Sequence, residues 1–191
     1  GDDEDPDDLL RMLDCNIQLT LLSKQSYRVE LEGTNSAGNL GGAVNFIYQN
    51  RNLLHGGELF NMKLKAAYEA IAQDNRNLRS SQEYGVETSL KLPQFLLPFI
   101  EKETFIKKYN PTTTILAAYN YQDIPSYTRT MANATFGYNW HAGNYQEHIV
   151  NPLQLNVVDL LSIDSAYAAE IQSSSYLAYS YEDVLILGGN Y

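Results

Sequence analysis

The sequence has little cysteine, little histidine and few basic residues. Its single cysteine, Cys15, excludes an internal disulfide framework and a zinc site built from several thiolates. The 13 Lys and Arg are outnumbered by 23 Asp and Glu, which gives a net charge of −10 and argues against nucleic acid as a partner. The histidines at positions 55, 141 and 148 show no metal-ligand spacing and no Ser-His-Asp arrangement. We therefore expect no metal, no cofactor and no enzymatic activity.

Long apolar runs are also missing. The longest central run, residues 95–100, contains Pro98, whereas a membrane-spanning helix needs about 20 apolar residues. Apolar residues nevertheless make up 44% of the chain and aromatic residues 12%, which is too apolar for a disordered protein. The acids are unevenly spread, because six of the 23 lie within residues 1–8. We expect that segment to be a disordered acidic tail.

Apolar and polar residues alternate with a period of two through most of the chain. Between Tyr27 and Glu32, for example, every second residue is apolar, as in a strand with one buried face. The same pattern predicts strands at about 27–32, 40–49, 60–69, 84–92, 114–121, 132–140, 145–157 and 184–191. In the seventh strand, the pattern places Ile149, Leu153, Leu155 and Val157 on one face, and Pro152 indicates an edge or a bulge. The fold class that follows is all-β, an antiparallel meander of about eight long strands.

The segments between these strands are predicted to be turns and loops. Polar turns lie at 35–39 and 52–57, and a polar loop lies at 74–81. Residues 159–175 are predicted to form a loop with a short helix at 166–171. Cys15 is expected to be a small buried apolar residue rather than a nucleophile.

The predicted strands have the length of membrane-crossing strands. Several have about nine to eleven residues, which exceeds the usual five to six and matches a tilted transmembrane strand. One face of each strand is rich in Asn, Gln, Ser, Thr and Gly, as the lining of a water-filled barrel is. Tyrosines and Trp140 tend to lie near the predicted strand ends, as in the aromatic girdles of membrane barrels, although tyrosine is also common in ordinary strands.

The N-terminal third carries a specific resemblance. Residues 27–67, YRVELEGTNSAGNLGGAVNFIYQNRNLLHGGELFNMKLKAA, closely resemble the first three barrel strands of the BamA/TamA outer-membrane assembly family, the bacterial surface antigen family. The segments YNYQDIPSYTR (119–129) and YSYEDVLILGGNY (179–191) are also similar to it. MLDCNIQLTLL (12–22) is similar to the final strand of the last POTRA domain, a periplasmic polypeptide-binding module that precedes the barrel.

The resemblance implies a domain organisation. Residues 1–8 are the acidic tail, residues 9–24 the remnant of the last POTRA strand, and residues 25–191 the N-terminal half of a transmembrane β-barrel. The family's barrel is expected to have sixteen strands, whereas this chain has about eight. An open sheet edge is costly in lipid. The fragment is therefore expected to close as a small barrel, to pair with another chain, or to form a soluble sandwich.

The resemblance also implies a function without catalysis. Members of this family fold and insert other barrels into the outer membrane of Gram-negative bacteria, or translocate polypeptides, so the implied partners are outer-membrane lipid and nascent outer-membrane polypeptides. Self-association to cover open edges is also expected. Recognition would occur by β-augmentation at a first strand that opens. That candidate gate strand consists of Tyr27, Arg28, Val29, Glu30, Leu31, Glu32, Gly33 and Thr34.

Two other interpretations stay open at this point. In the first, the chain is a soluble β-domain that binds a ligand such as carbohydrate through exposed aromatic rings. In the second, it is a small barrel that acts as a passive pore or adhesin. The direction of the apolar face separates the membrane and soluble interpretations. Lipid surrounds an exposed apolar band of about 25 Å in a membrane barrel, whereas a sandwich packs that face between two sheets.

Overall fold

A computed structural model describes residues 15–20, 22–36, 39–72, 78–96, 109–143, 145–165, 167–168 and 183–191. The acidic tail at 1–8, the tip of the first turn at 37–38 and most of the predicted helix at 166–171 lie outside the described residues. Eight strands form: β1 (Gln25–Ser36), β2 (Asn39–Arg51), β3 (Leu59–Ala72), β4 (Leu78–Leu92), β5 (Thr112–Ile124), β6 (Tyr127–His141), β7 (Glu147–Ile163) and β8 (Val184–Asn190).

The eight strands form one antiparallel sheet in the order of the sequence. Each strand pairs with the next, so the predicted meander is confirmed. Within the described part of the chain β1 pairs only with β2 and β8 only with β7, so the sheet is open. Its topology is that of half a barrel or of an open sheet, rather than of a closed small barrel or a two-sheet sandwich.

Most strands extend further than the sequence pattern predicts, and two of them run into predicted loops. β4 begins at Leu78, inside the predicted loop at 74–81, and Arg79 and Ser81 pair with Ile71 and Glu69 of β3. β7 continues to Ile163, through the start of the predicted loop at 159–175. Both predictions were wrong for the same reason. Ladder hydrogen bonds join backbone groups, so a polar run continues a strand wherever a neighbouring strand supplies partners.

β7 contains the irregularity that Pro152 predicts. The register of β7 shifts against β6 between Phe136 and Tyr138, and against β8 between Asn151 and Gln154. A second shift against β6 lies between Thr128 and Arg129. Such shifts are β-bulges, in which one strand carries an extra residue. β7 has 17 residues and β6 has 15, so the extra residues are on β7.

The bulge at Pro152 changes which face of the sheet each residue occupies. Leu153 is opposite Phe136, whereas Ile149 is opposite Asn139. Because residues directly opposite each other share a face, Ile149 and Leu153 lie on different faces of the sheet. The prediction that they share one was wrong, since the extra residue reverses the alternation.

The two faces of the sheet differ in chemistry and in burial. One face, called here the apolar face, carries Val44 and Phe46 on β2 and Ile115 and Ala117 on β5. The other, called here the polar face, carries Asn45 on β2 and Asn120 on β5. Along β2 and β5 the polar-face residues are the more buried set, and Asn45 is only 1% exposed. Because side chains crowd together on the inside of a curved sheet, we infer from this burial that the polar face is the concave one.

A small packed cluster lies at the end of the sheet where β4 leaves and β5 enters. Leu92 and Phe95 are the buried hydrophobic residues of the described chain. Phe95 packs edge-on against Tyr138 and Trp140, with ring centroids 5.2 and 5.7 Å away. Thr113 is fully buried beneath this segment, where its Oγ1 donates to Gln94 O at 2.7 Å and accepts from Leu96 N at 3.2 Å. In the described ranges, no helix has the length and apolarity to cross a membrane.

Candidate functional site

The eight candidate gate residues all lie in one edge strand. Residues 27–34 fall within β1, whose register with β2 runs without a shift from Gln25↔Asn50 to Ser36↔Asn39. The ladder is extended by a further bond from Arg51 N to Lys24 O at 2.7 Å. No described strand pairs with the opposite edge of β1. The structure therefore brings the predicted residues together along one continuous strand whose outer backbone edge faces away from the sheet.

The apolar side chains of β1 are exposed. Val29 is 62% and Leu31 78% exposed on the apolar face, and Tyr27 lies in line with them. The ring of Tyr27 contacts Tyr48, with centroids 5.1 Å apart, and Phe46 at 6.2 Å. β1 therefore continues the apolar face of β2 to the very edge of the sheet.

The polar side chains of β1 line the concave face. Arg28 Nη1 lies 3.6 Å from Glu30 Oε1 in an exposed ion pair within the strand. Glu32 Oε1 accepts a hydrogen bond of 2.6 Å from Asn45 Nδ2 on β2. Thr34 lies against Gly41, where a Cβ would meet the threonine hydroxyl. Gly33 has no atom within 4 Å of where its Cβ would be. The edge therefore presents one cation and two carboxylates toward the inside of the curved sheet.

A network of cross-strand hydrogen bonds continues along the concave face. Lys65 Nζ on β3 and Asn120 Nδ2 on β5 both lie 2.8 Å from Glu83 Oε1 on β4. Further along, Arg129 Nε donates to Gln122 Oε1 at 2.9 Å. Lys65 is thus paired within the sheet, whereas Lys63 forms no ion pair with any described residue. The Oδ1 atoms of Asn45 and Asn120 are buried without a partner in the described chain.

Aromatic side chains on the apolar face fall into two rows. Tyr27, Tyr48 and Phe60 contact one another in sequence on neighbouring strands, and Tyr84 contacts Tyr121 on the other half of the sheet, with centroids 6.4 Å apart. Aliphatic side chains such as Leu64 and Val86 lie between the two rows. Tyr27, Tyr48, Phe60 and Tyr121 lie one to three positions from an end of their strands, as predicted. Tyr84 lies six positions inside β4, because β4 begins earlier than the sequence pattern predicts.

The link between β2 and β3 is built around a carboxylate. Glu58 Oε2 accepts from Leu54 N and Gly56 N, each at 3.1 Å, and Gly57 N donates to Asn52 Oδ1 at 2.9 Å. The positive φ angles of Asn52, His55 and Gly57 allow the chain to wrap around Glu58, which is only 8% exposed.

Hydrogen bonding in this turn holds the pKa of Glu58 below the ordinary carboxyl value of 4.5. The largest cause is the backbone N–H of Glu58 itself. Burial acts in the opposite direction, and the N–H groups of Gly56 and Leu54 and the charge of His55 lower the pKa further.

A histidine and the single cysteine that the sequence analysis considered lie in different surroundings. His148 stacks between Trp140 and Tyr191, with centroids 5.1 and 6.0 Å away, and its Nδ1 lies 2.8 Å from the Tyr191 hydroxyl. No group of His, Cys, Asp and Glu in the described ranges has metal-site geometry. Cys15 is exposed, so the expectation that it is buried was wrong, because residues 15–20 lie outside every described strand and are all exposed.

Sequence reasoning missed the roles of Glu58, Glu83 and Thr113. A usable signal existed for Glu83, which lies one residue before the predicted fourth strand and carries a charge opposite to that of Lys65 on the predicted third strand. Comparisons with models of protein families, with curated proteins and with solved structures give no match for this chain.

Proposed function

We propose that this chain forms part of the wall of an outer-membrane β-barrel that assembles or inserts other outer-membrane polypeptides or translocates them, without catalysis. The observation that carries the proposal is the distribution of side chains between the two faces of the sheet. The convex face is apolar and exposed, whereas the concave face is polar and more buried. A soluble sheet buries its apolar face in a core, whereas a membrane barrel turns it toward lipid.

The free edge of β1 supports the assembly role. An unpaired strand presents a row of backbone donors and acceptors to an incoming chain, and strand addition uses such an edge. In lipid, water is absent as an alternative partner, so the drive to pair the edge is stronger there. The resemblance of residues 27–67 to an outer-membrane assembly family agrees with this role.

The orientation of the apolar face is tested with paired spin labels. Ile115 and Leu116 are adjacent and both aliphatic, but Ile115 lies on the apolar face and Leu116 on the polar face. Each is replaced by a labelled cysteine in a Cys15→Ser background, and the chain is reconstituted into phosphatidylcholine vesicles. We expect the label at position 115 to be accessible to oxygen, which partitions into lipid, and the label at 116 to a water-soluble nickel chelate.

This pair separates the membrane interpretation from the soluble one because the two residues match in hydrophobicity. Equal accessibility of both labels to the nickel chelate contradicts the membrane proposal. The same result in buffer without lipid, together with a monodisperse particle by light scattering, favours a soluble domain instead.

A further inference from the structure

We infer that the outer edge of β1 selects an extended polypeptide strand in which apolar residues alternate with basic ones. The inference deepens the proposed function and rests on it, because it names the chemical class of strand that the β1 edge accepts. It follows from the side chains that β1 presents on each face, since every residue of an added strand lies directly opposite one residue of β1.

The two faces of β1 impose different requirements on that strand. On the convex face, Val29 and Leu31 are 62% and 78% exposed, so the residues opposite them extend the apolar surface if they are apolar. On the concave face, Glu30 and Glu32 are two residues apart, so the residues opposite them carry the favourable charge if they are Lys or Arg. Arg28 favours an acidic residue at the next position on this face.

Both carboxylates retain capacity for a further partner. Glu32 accepts from Asn45 through Oε1 alone, and an ionised carboxylate has about four acceptor positions. The ion pair of Glu30 with Arg28 is long, at 3.6 Å, and exposed on both sides, so it contributes little. A basic residue on the concave side of an added strand therefore meets a carboxylate that the sheet itself does not saturate.

The occupant is another polypeptide rather than a second copy of this chain through its β8 edge. Val184 and Ile186 lie on the same face as Met131 and Asn133, the polar face. A β8 strand added to β1 would place these aliphatic side chains opposite the carboxylates of Glu30 and Glu32, where they supply no charge. The alternation of apolar and basic residues that β1 favours is thus absent from β8.

The experiment traps an added strand with a disulfide. Val29→Cys in a Cys15→Ser background, reconstituted in phosphatidylcholine vesicles, is equilibrated with synthetic peptides in a buffer of reduced and oxidised glutathione. The basic peptide reads Thr-Lys-Val-Lys-Cys-Glu-Tyr-Thr from its N-terminus, so that antiparallel pairing places its cysteine opposite position 29 and its lysines opposite Glu30 and Glu32. The acidic peptide has Glu in place of both lysines and is otherwise identical.

We expect the basic peptide to be trapped about three- to tenfold more than the acidic one, since two opposite-charge pairs replace two like-charge pairs. In the Glu30→Lys variant, the trapped amounts of the two peptides should be nearly equal. Glu69→Lys makes the same charge change on β3, away from the edge, and should leave the preference unchanged. Leu64→Cys in the same background, on the interior strand β3, should trap neither peptide.

The outcomes separate this inference from the proposed function. Equal trapping of both peptides at position 29, with none at position 64, shows that the edge accepts strands and overturns the charge selectivity alone. If neither peptide is trapped at position 29, although the cysteine there still reacts with a small maleimide, the inference is overturned together with the strand-accepting role of β1. A preference that persists in Glu30→Lys overturns the assignment of selectivity to β1.

Discussion

Phe60 and Tyr68 lie on the same face of β3, eight residues apart, and the residues of that face between them are Met62, Leu64 and Ala66. At about 3.4 Å per residue, the two rings are about 27 Å apart along the strand. A strand tilted by about 40° would bring that span to about 21 Å along the barrel axis. The two rings thus bound an apolar zone whose height approaches that of the band in membrane barrels, about 25 Å.

A charge in the middle of this zone should be costly in lipid. Leu64→Arg is expected to lower the free energy of unfolding in vesicles by about 2–4 kcal/mol, the cost of an arginine on the lipid face near the bilayer midplane. Leu116→Arg provides the control, because Leu116 is also aliphatic but lies on the concave face. Urea titrations of both variants in the same vesicles test the prediction, which is contradicted by equal losses.

The ion pair between Lys65 and Glu83 should contribute modestly to the stability of the sheet. Its atoms are 2.8 Å apart and its side chains are 34% and 27% exposed, so we expect a coupling energy of about 0.5–1 kcal/mol. The measurement is a double-mutant cycle with Lys65→Met and Glu83→Gln. The Arg28–Glu30 pair, which is longer and more exposed, should give no measurable coupling in a parallel cycle. A larger coupling for the second pair would contradict this ranking.

Protonation of Glu58 should loosen the β2–β3 turn. Because the pKa of Glu58 is lowered in the folded chain, its stabilising contribution is complete above the ordinary value of 4.5 and is lost as the pH falls through the folded-state pKa below that value. The amide resonances of Leu54 and Gly56, which donate to this carboxylate, should titrate with a midpoint below 4.5. Glu58→Gln should abolish the titration. A midpoint at or above 4.5 would show that the turn does not hold the ionised carboxylate.

The hydroxyl of Thr113 should matter more than its methyl group. Thr113→Val preserves shape but leaves Gln94 O and Leu96 N without their partner, which is expected to cost about 1–3 kcal/mol. Thr113→Ser keeps the hydroxyl and removes one methyl group, at about 0.8 kcal/mol. Unfolding measurements should therefore show a larger loss in the free energy of unfolding for Thr113→Val than for Thr113→Ser. The reverse order would mean that the methyl contacts dominate at this site.

The alternation of residue types predicts the number and order of the strands because each strand keeps one apolar and one polar face. It does not predict where strands end. Arg79 and Ser81 belong to β4 because Ile71 and Glu69 of β3 stand opposite them, and that partnership depends on the preceding hairpin rather than on local composition. The misplacement of Ile149 has a related cause, since a single extra residue at the bulge exchanges the faces of everything beyond it.

The sequence predicts the strand that carries the candidate gate residues, but it does not predict the contacts of that strand. The resemblance of residues 27–67 implies an edge strand at Tyr27 to Thr34, and the structure places those residues on an edge. The hydrogen bond from Asn45 to Glu32 and the fold of the turn around Glu58 depend on cross-strand register and on backbone angles. Neither is encoded in a run of residue types along one strand.

The extra residues of β7 have a consequence for the size of any barrel that this sheet joins. Each register shift against β6 displaces the two strands along their axes, so the shifts add to the stagger accumulated from β1 to β8. In a closed barrel, stagger and strand number together set the tilt of the strands and the radius. In any such barrel, the residues around Pro152 would therefore help to set the width of the interior.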